Sequence, residues 1–464
     1  MVDWSKLSQW FPEVRKPEVE RLAFNKKLLW TGIVLILFFI LSYVPLVGLG
    51  QNALQQFEYL SIILGASFGS LISLGIGPIV TASIVMQLLV GSGILGIDLT
   101  QKEGKAKFQA MQKVAVIFFV AFEATVYVLM GGLAPDPALA GTMTYLLLKV
   151  ALIAQLITGG YLIVLMDEVC SKWGFGSGVG LFIAAGVAGQ IFVRALNPFA
   201  SPTNPDVPAG AIPYLFRALS TGDSTGAVLA VTGIAVTILI FVISVYVQAM
   251  KVEIPLSFGR VRGFGMRWPL RFVYTSNIPV ILIAALMANI QLWARLLQNL
   301  GHPILGTFSG NVPSTGFVKW LHSPDIIQSI ITGSANWTMI GQAMTYITFM
   351  ILGSILFAVL WVKTANMDAA SQAKQIISSG MQIPGFRRDP RVLESILNRY
   401  IPGLTIMGAA TVGFLAALAD LGGALSRGTG ILLTVMIMYR LYEDIAKQHA
   451  FDMHPALRKI MMPE

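Results

Sequence analysis

The sequence predicts an all-α polytopic membrane protein of ten transmembrane helices arranged as two inverted five-helix halves. Three observations carry this. Hydrophobic residues make up 55% of the 464 and charged residues only 12%, with a mean hydropathy of +0.72, far from the balance of a soluble domain. Apolar runs close to the roughly 18 residues that cross a hydrocarbon core recur along the whole chain. Lysines and arginines are concentrated at alternate run ends.

The long apolar runs lie at about 28–47, 114–132, 144–166, 227–249, 273–294 and 340–362. Shorter or glycine-interrupted runs at about 76–94, 178–196, 401–419 and 424–442 complete the ten. Spans of this kind must be helical, because hydrocarbon offers no partner to an open backbone group. An even count puts both termini on one side, and that side then holds 26 of the 32 lysines and arginines. Only Lys149, Arg194, Arg217, Arg295, Lys319 and Arg427 fall opposite or inside spans. Basic residues near span ends are retained in the cytoplasm, so a cell-membrane protein with both termini cytoplasmic is expected, and its net charge of +9 is mostly topological. The first 26 residues, with "WSKLSQWFPEVRKPEVE", read as a charged amphipathic lead and not as a cleavable signal. A single cysteine, Cys170, excludes an internal disulfide and a cysteine-based metal cluster, and no cofactor is expected.

The halves divide at about residue 200, giving 1–200 and 201–464. Five spans are an odd number, so the second set begins on the opposite face, as in an inverted repeat. The second span of each half is the irregular one: "GIGPIVTASIVMQLL" (75–89) and "SNIPVILIAALMANIQLW" (276–293). Each has a proline near its start, Pro78 or Pro279, and an amide nine or ten residues on, Gln87 or Asn289. Interruptions at corresponding places in two halves point to a transport path. Two long basic loops, 251–272 and 363–400, belong to the cytoplasmic side. Segments 197–223 and 299–336, rich in Pro, Gly, Ser and Thr, read as ordinary outer loops. The stretch 53–69, apolar for about ten residues, is too short to cross and should re-enter or cap the outer face.

Gly65-Ala66-Ser67-Phe68-Gly69 fits the serine-hydrolase pattern G-x-S-x-G, but the general base is missing. His302, His322, His449 and His454 lie in an outer loop or the C-terminal tail, and no H-E-x-x-H occurs, so no enzyme is expected. Glu123, mid-span in "VAVIFFVAFEATVYVL", must be protonated, paired or facing water. Thr81 and Asn289 lie at comparable depth in the second and seventh spans, so the three should converge. Lys149, Gln155 and Asp420, nearer span ends, are expected at the interface. A secondary transporter of a small solute, with Glu123 as proton carrier, is the alternative. Such a carrier needs several ionisable groups along one path, and an ion channel needs a charged or carbonyl-lined filter. Branched aliphatic residues beside glycine-broken helices are left, and they suit a seal displaced by a bulky, chemically varied cargo.

Four stretches, "GIGPIVTASIVMQLLVGSG", "GSGVGLFIAAGV", "VYTSNIPVILIAALMANIQLW" and "IPGLTIMGAATVGFLAALADLGGALSRGTGILLTVMIMYR", resemble the SecY family of protein-conducting channels in its archaeal form, across all ten spans. The resemblance implies an hourglass pore between the halves, a plug helix at about 54–67, and a lateral gate between spans two and three and spans seven and eight. It implies that Ile76, Val80, Val179, Ile183, Ile281 and Leu433 form an aliphatic ring at the waist. The pairs Ile76/Val80 and Val179/Ile183 are each spaced i, i+4, so each presents one helix face to a common axis. Further implied are a polar gate cluster of Thr81, Glu123 and Asn289, and ribosome-binding residues Arg260, Arg262 and Arg387. Expected partners are SecE-like and beta-type single-span subunits, the ribosome, signal sequences, nascent polypeptides and membrane lipid.

Overall fold

The computed structural model describes residues 12–18, 22–52, 67–91, 94–97, 102–201, 204–258, 265–276, 278–309, 312–334, 336–378, 381–382, 389–426 and 428–453. Ten long helices stand where the ten spans are predicted: α1 (Phe24–Tyr43), α2 (Gly77–Gly91), α3 (Lys102–Leu129), α4 (Met143–Trp173), α5 (Gly178–Leu196), α6 (Ser224–Ala249), α7 (Ile278–Asn299), α8 (Trp337–Thr364), α9 (Pro390–Leu421) and α10 (Gly428–Met453). Among the described residues, eight are long and apolar enough to cross a membrane; α2, with 15 residues, and α10 are not. The reason in α10 is that its apolar first half gives way to Arg440, Glu443 and Asp444. The chain is an all-α multi-pass membrane protein.

Within the first half, α2 packs on α3, α3 on α4, and α4 on α1 and α5; within the second, α8 packs on α7 and α9, and α10 on α6 and α9. The halves meet where α5 lies along α10 and where α2 touches α7 and α8. One apolar cluster runs through this junction, from Phe38 of α1, stacked on Phe182 of α5 at 4.7 Å, to Phe357 of α8 and Val412 of α9. Helix α7 is the most enclosed: 61% of its most apolar stretch lies inside the protein, against 17% for α1 and α6. A helix enclosed to this degree is a central element and not a lipid-facing one.

Four expectations need correction. The basic segments 251–272 and 363–400 are structured: β1 (Lys251–Phe258) and β2 (Gly265–Arg271) pair antiparallel, and β3 (Met381–Gln382) adds to β1 through Ser257 and Phe258. A helix at Ala369–Ser378 and the first turns of α9 pack beneath this sheet through Ile254, Leu270, Ala373, Ile376, Leu393 and Leu397. The segments 197–223 and 299–336 are not plain loops either, since strands 200–201 and 204–208, a helix at Ala211–Thr221 and a hairpin at 308–309 and 312–313 fill them. Short-range polar bonds offset the turn-forming residues there, as where Gln298 bonds both the amide and the carbonyl of Phe308. Asp420 is buried among helices, not interfacial, because Tyr346 and Thr429 supply donors to it. Finally, α3 starts about a dozen residues before its apolar run and α9 continues through Pro402, so helix ends and span ends do not coincide.

Candidate functional site: the waist and the seam between the halves

The irregularity of the second span is local and explicable. Residues 71–76 run as turns with Gly75 at φ 55°, a left-handed conformation that favours glycine, before α2 starts at Gly77. Pro78 and Pro279 each occupy the second position of their helix, where the missing N–H costs nothing. Ile76 accepts the first helical bond, from the Val80 amide at 3.0 Å, so the two ring positions face the same way. To the same cluster α5 brings Val179 and Ile183, α7 brings Ile281, and α10 brings Leu433.

These six side chains share one cluster. Ile76, Ile183 and Leu433 are 0% exposed, Val80 4% and Ile281 9%, with Val179 partly buried against them. None of the five buried ones faces outward. A cavity of about 470 Å³ opens above them, and Val80, Val179 and Ile281 form part of its lining together with Ser83, Gln87 and Arg440. Its walls come from the ends of α2, α4, α5, α7, α8 and α10 nearest the sheet β1–β3, so it is a chamber on that side of the bundle, shared by both halves. Branched aliphatic chains at the chamber's floor give water and ions no partner.

Beside this floor the polar trio converges across the seam. Asn289 Nδ2 donates to Thr81 Oγ1 at 3.1 Å, and the Thr81 hydroxyl lies 3.0 Å from Glu123 Oε1. The same hydroxyl is 2.9 Å from the Gly77 carbonyl, so one proton serves two acceptors. Glu123 Oε2 and the Tyr127 hydroxyl one turn along are buried without a hydrogen-bond partner among the described residues. The network is therefore only partly satisfied, an arrangement that is costly in a low dielectric and easily tipped.

Two features were not anticipated. Phe122 of α3 stacks on Trp293 of α7 at 5.9 Å, extending the seam contact one turn past Asn289; the i, i+4 spacing of Asn289 and Trp293 was its available signal. Asp167 of α4 accepts from the Val179 amide at 3.0 Å, and Asp420 of α9 accepts from the Thr429 amide at 2.9 Å. The sequence signal for these was a repeated Gly-x-Gly at the starts of α5 and α10, Gly178-Val179-Gly180 and Gly428-Thr429-Gly430. Arg260, Arg262 and Arg387, and residues 54–66 of the expected plug, lie outside the described residues. Lys149 is half-buried with its ammonium over the Tyr145 ring, and Gln155 bonds both the amide and carbonyl of Val47.

With this geometry in place, comparison with known proteins is decisive. The SecY family profile matches residues 70–442, and that of the plug domain of Sec61p matches 36–69. The chain belongs to the SecY family. It is similar to the protein translocase subunit SecY of Methanothermobacter thermautotrophicus, 47% identical over 97% of this chain and 96% of that one. Among solved SecY-type structures, it resembles one described as a protein conducting channel, with a TM-score of 0.81 and 41% identity over 98% of this chain and 99% of that one. It also resembles Sec61 in a canine ribosome-channel complex from the endoplasmic reticulum, with a TM-score of 0.80, 39% identity and the same coverage.

Proposed function

We propose that this chain is a protein-conducting channel that passes unfolded polypeptide across the membrane, or sideways into it, in response to a signal sequence. One observation supports this above the others: a sealed aliphatic waist, contributed by both halves, floors a chamber large enough to take an extended chain segment. In this reading residues 1–200 and 201–464 act as two units hinged about the seam. A polypeptide entering the chamber displaces Val80, Val179 and Ile281 first; because every contact at the floor is non-directional, the waist re-closes around side chains of any chemistry. An apolar signal helix parts α2 and α3 from α7 and α8, exchanging the bonds of Thr81, Glu123 and Asn289 for contacts with itself. The plug at about 54–67 would complete the seal from the opposite side.

Both termini are proposed to be cytoplasmic, the chamber opening to that side, with SecE-like and beta-type subunits completing the complex. Work to move the chain comes from a partner, and the bundle itself catalyses nothing. The ribosome is the proposed partner: the similar Sec61 chain is described in a ribosome-channel complex. Arg260 and Arg262 follow β1 in sequence and Arg387 follows β3, and the proposed role of all three is to meet the polyanionic ribosomal RNA. Arg387→Glu should weaken ribosome binding, and more so with added salt, while leaving insertion topology unchanged; unchanged binding would remove this role.

Vesicles bearing the complex should protect a signal-bearing polypeptide from protease as it is synthesised, and Glu123→Gln should alter that yield only a few-fold. Proton-coupled uptake of a small solute, abolished by Glu123→Gln, would instead establish a solute carrier.

A further inference from the structure

Two of the helices that carry waist residues, α5 and α10, have an amide of their first turn bonded by a carboxylate of the preceding helix. Helices α4, α6 and α9 are capped by the residue just before them, Thr142, Asp223 and Asp389. Ser177, in that position before α5, makes no such bond. The first amides of α5 reach across to α4 instead: Asp167 Oδ1 accepts from Val179 N at 3.0 Å and from Ser177 Oγ at 3.3 Å. In the second half Asp420, on α9, accepts from Thr429 N at 2.9 Å, and also from the Thr429 hydroxyl.

The correspondence is close in sequence as well. Gly178-Val179-Gly180-Leu181-Phe182-Ile183 and Gly428-Thr429-Gly430-Ile431-Leu432-Leu433 align without a gap, and in each the bonded amide is the second residue of the helix. Glycine at the first position lets the carboxylate come near, since a Cβ on Gly178 would lie 2.7 Å from Asp167 Cα. The residue four places after each bonded amide is Ile183 or Leu433, both fully buried in the waist. Because α5 begins beside the chamber and α10 at the opposite end of the bundle, the two carboxylates hold the packed α5–α10 pair from both ends.

We propose that Asp167 and Asp420 are paired positioning residues of the waist, each on the fourth helix of its half and each fixing the height of a seal residue one turn into the fifth. Free N–H groups at a helix start carry partial positive charge, so a carboxylate is a strong and directional anchor for them. Asp420 has an added link: the Tyr346 hydroxyl of α8 donates to its Oδ2 at 2.6 Å, which ties a gate helix to the same anchor. Parting the seam therefore pulls on the helix that carries Leu433.

This inference rests on the channel reading. The test uses the assembled complex in bilayers, with resting ion leak as one readout and crosslinking of a stalled secretory chain to cysteines at Ile183 and Leu433 as the other. Asp167→Ala and Asp420→Ala should each raise the leak about tenfold, and Asp→Asn at either site should return it to within about twofold, because the amide oxygen still accepts. Tyr346→Phe, which keeps the cap and removes the α8 link, should raise the leak about threefold, and a wild-type leak there overturns that link. A wild-type leak in the folded alanine variants overturns the positioning role; where those do not fold, Asp167→Glu and Asp420→Glu, which keep the charge but displace the anchor by one methylene, should raise the leak about threefold, and a wild-type leak in both overturns it. Crosslinks present in the wild type with leak unchanged in the variants leave the channel reading standing, whereas no crosslinks in the wild type overturn both.

Discussion

Asn289 donates its side-chain amide to the Thr81 hydroxyl at 3.1 Å, joining residues 208 positions apart that belong to different halves of the molecule. The bond crosses the line along which the halves would separate. Thr81 in turn meets Glu123 on α3, so three helices share one short polar network at the edge of an otherwise aliphatic waist.

Opposite changes at Asn289 should move the signal threshold in opposite directions. Water admitted when the seam opens can solvate an amide but not an alkyl group, so Asn289→Leu favours the closed seam. Asn289→Asp removes the donor and brings a second carboxyl towards Glu123, which favours opening. Each effect is worth about 1 kcal/mol, or roughly fivefold in the gate equilibrium. In a series of signals graded from alanine to leucine, the Leu variant should demand a more apolar signal and the Asp variant a less apolar one.

The first half depends on a backbone approach that only glycine permits. A Cβ at Gly159 of α4 would overlap the Leu71 carbonyl, in the turns that lead into α2. Gly159→Ala should therefore destabilise the folded protein by about 1–3 kcal/mol. The thermal midpoint of the detergent-solubilised complex should drop, while Gly186→Ala, where a Cβ meets nothing within 4 Å, should leave it unchanged.

The segment before α1 is held to the bundle by charge. Glu13 accepts from Lys172 at 2.6 Å and from Lys113 at 3.3 Å; Val14 donates to Glu168, and Trp173 to the Arg15 carbonyl. The Lys172 hydrogen bond, reinforced by Lys113, holds the Glu13 carboxyl below the usual carboxylate range despite some burial. A lowered folded-state value stabilises docking above the unfolded value of about 4.3, and that contribution disappears as the pH drops through the lowered value. Exchange of the Val14 amide hydrogen should thus be flat from about pH 5 to pH 8, after correction for the intrinsic rate, and accelerate below about pH 4. Glu13→Gln should show the faster exchange already at neutral pH.

Much of this was legible in the chain, and what was not has physical causes. The apolar runs, including the shorter glycine-interrupted ones, located all ten helices, because a hydrocarbon solvent leaves the backbone few options. The meeting of Glu123 with Thr81 and Asn289 followed from the cost of a lone carboxylate at that depth. Periodicity could not reveal the sheet β1–β3, since strand propensity is weak and context-dependent and β3 has only two residues. Asp420 was misplaced for a related reason. Closeness to a span end suggests water, but the chain folds back at Gly422 and Gly423 so that Tyr346 and Thr429 enclose it. The Gly-x-Gly repeat at α5 and α10 was visible but meant little until the carboxylates facing it were seen.

Crosslinking tests the central claim most directly. With a secretory chain stalled midway, single cysteines at Ile76, Val80 and Ile281 should each capture it, and a cysteine at Ile238, an exposed position on α6, should not. Capture at Ile238 equal to that at the three waist positions, or no capture at the waist at all, would contradict the account.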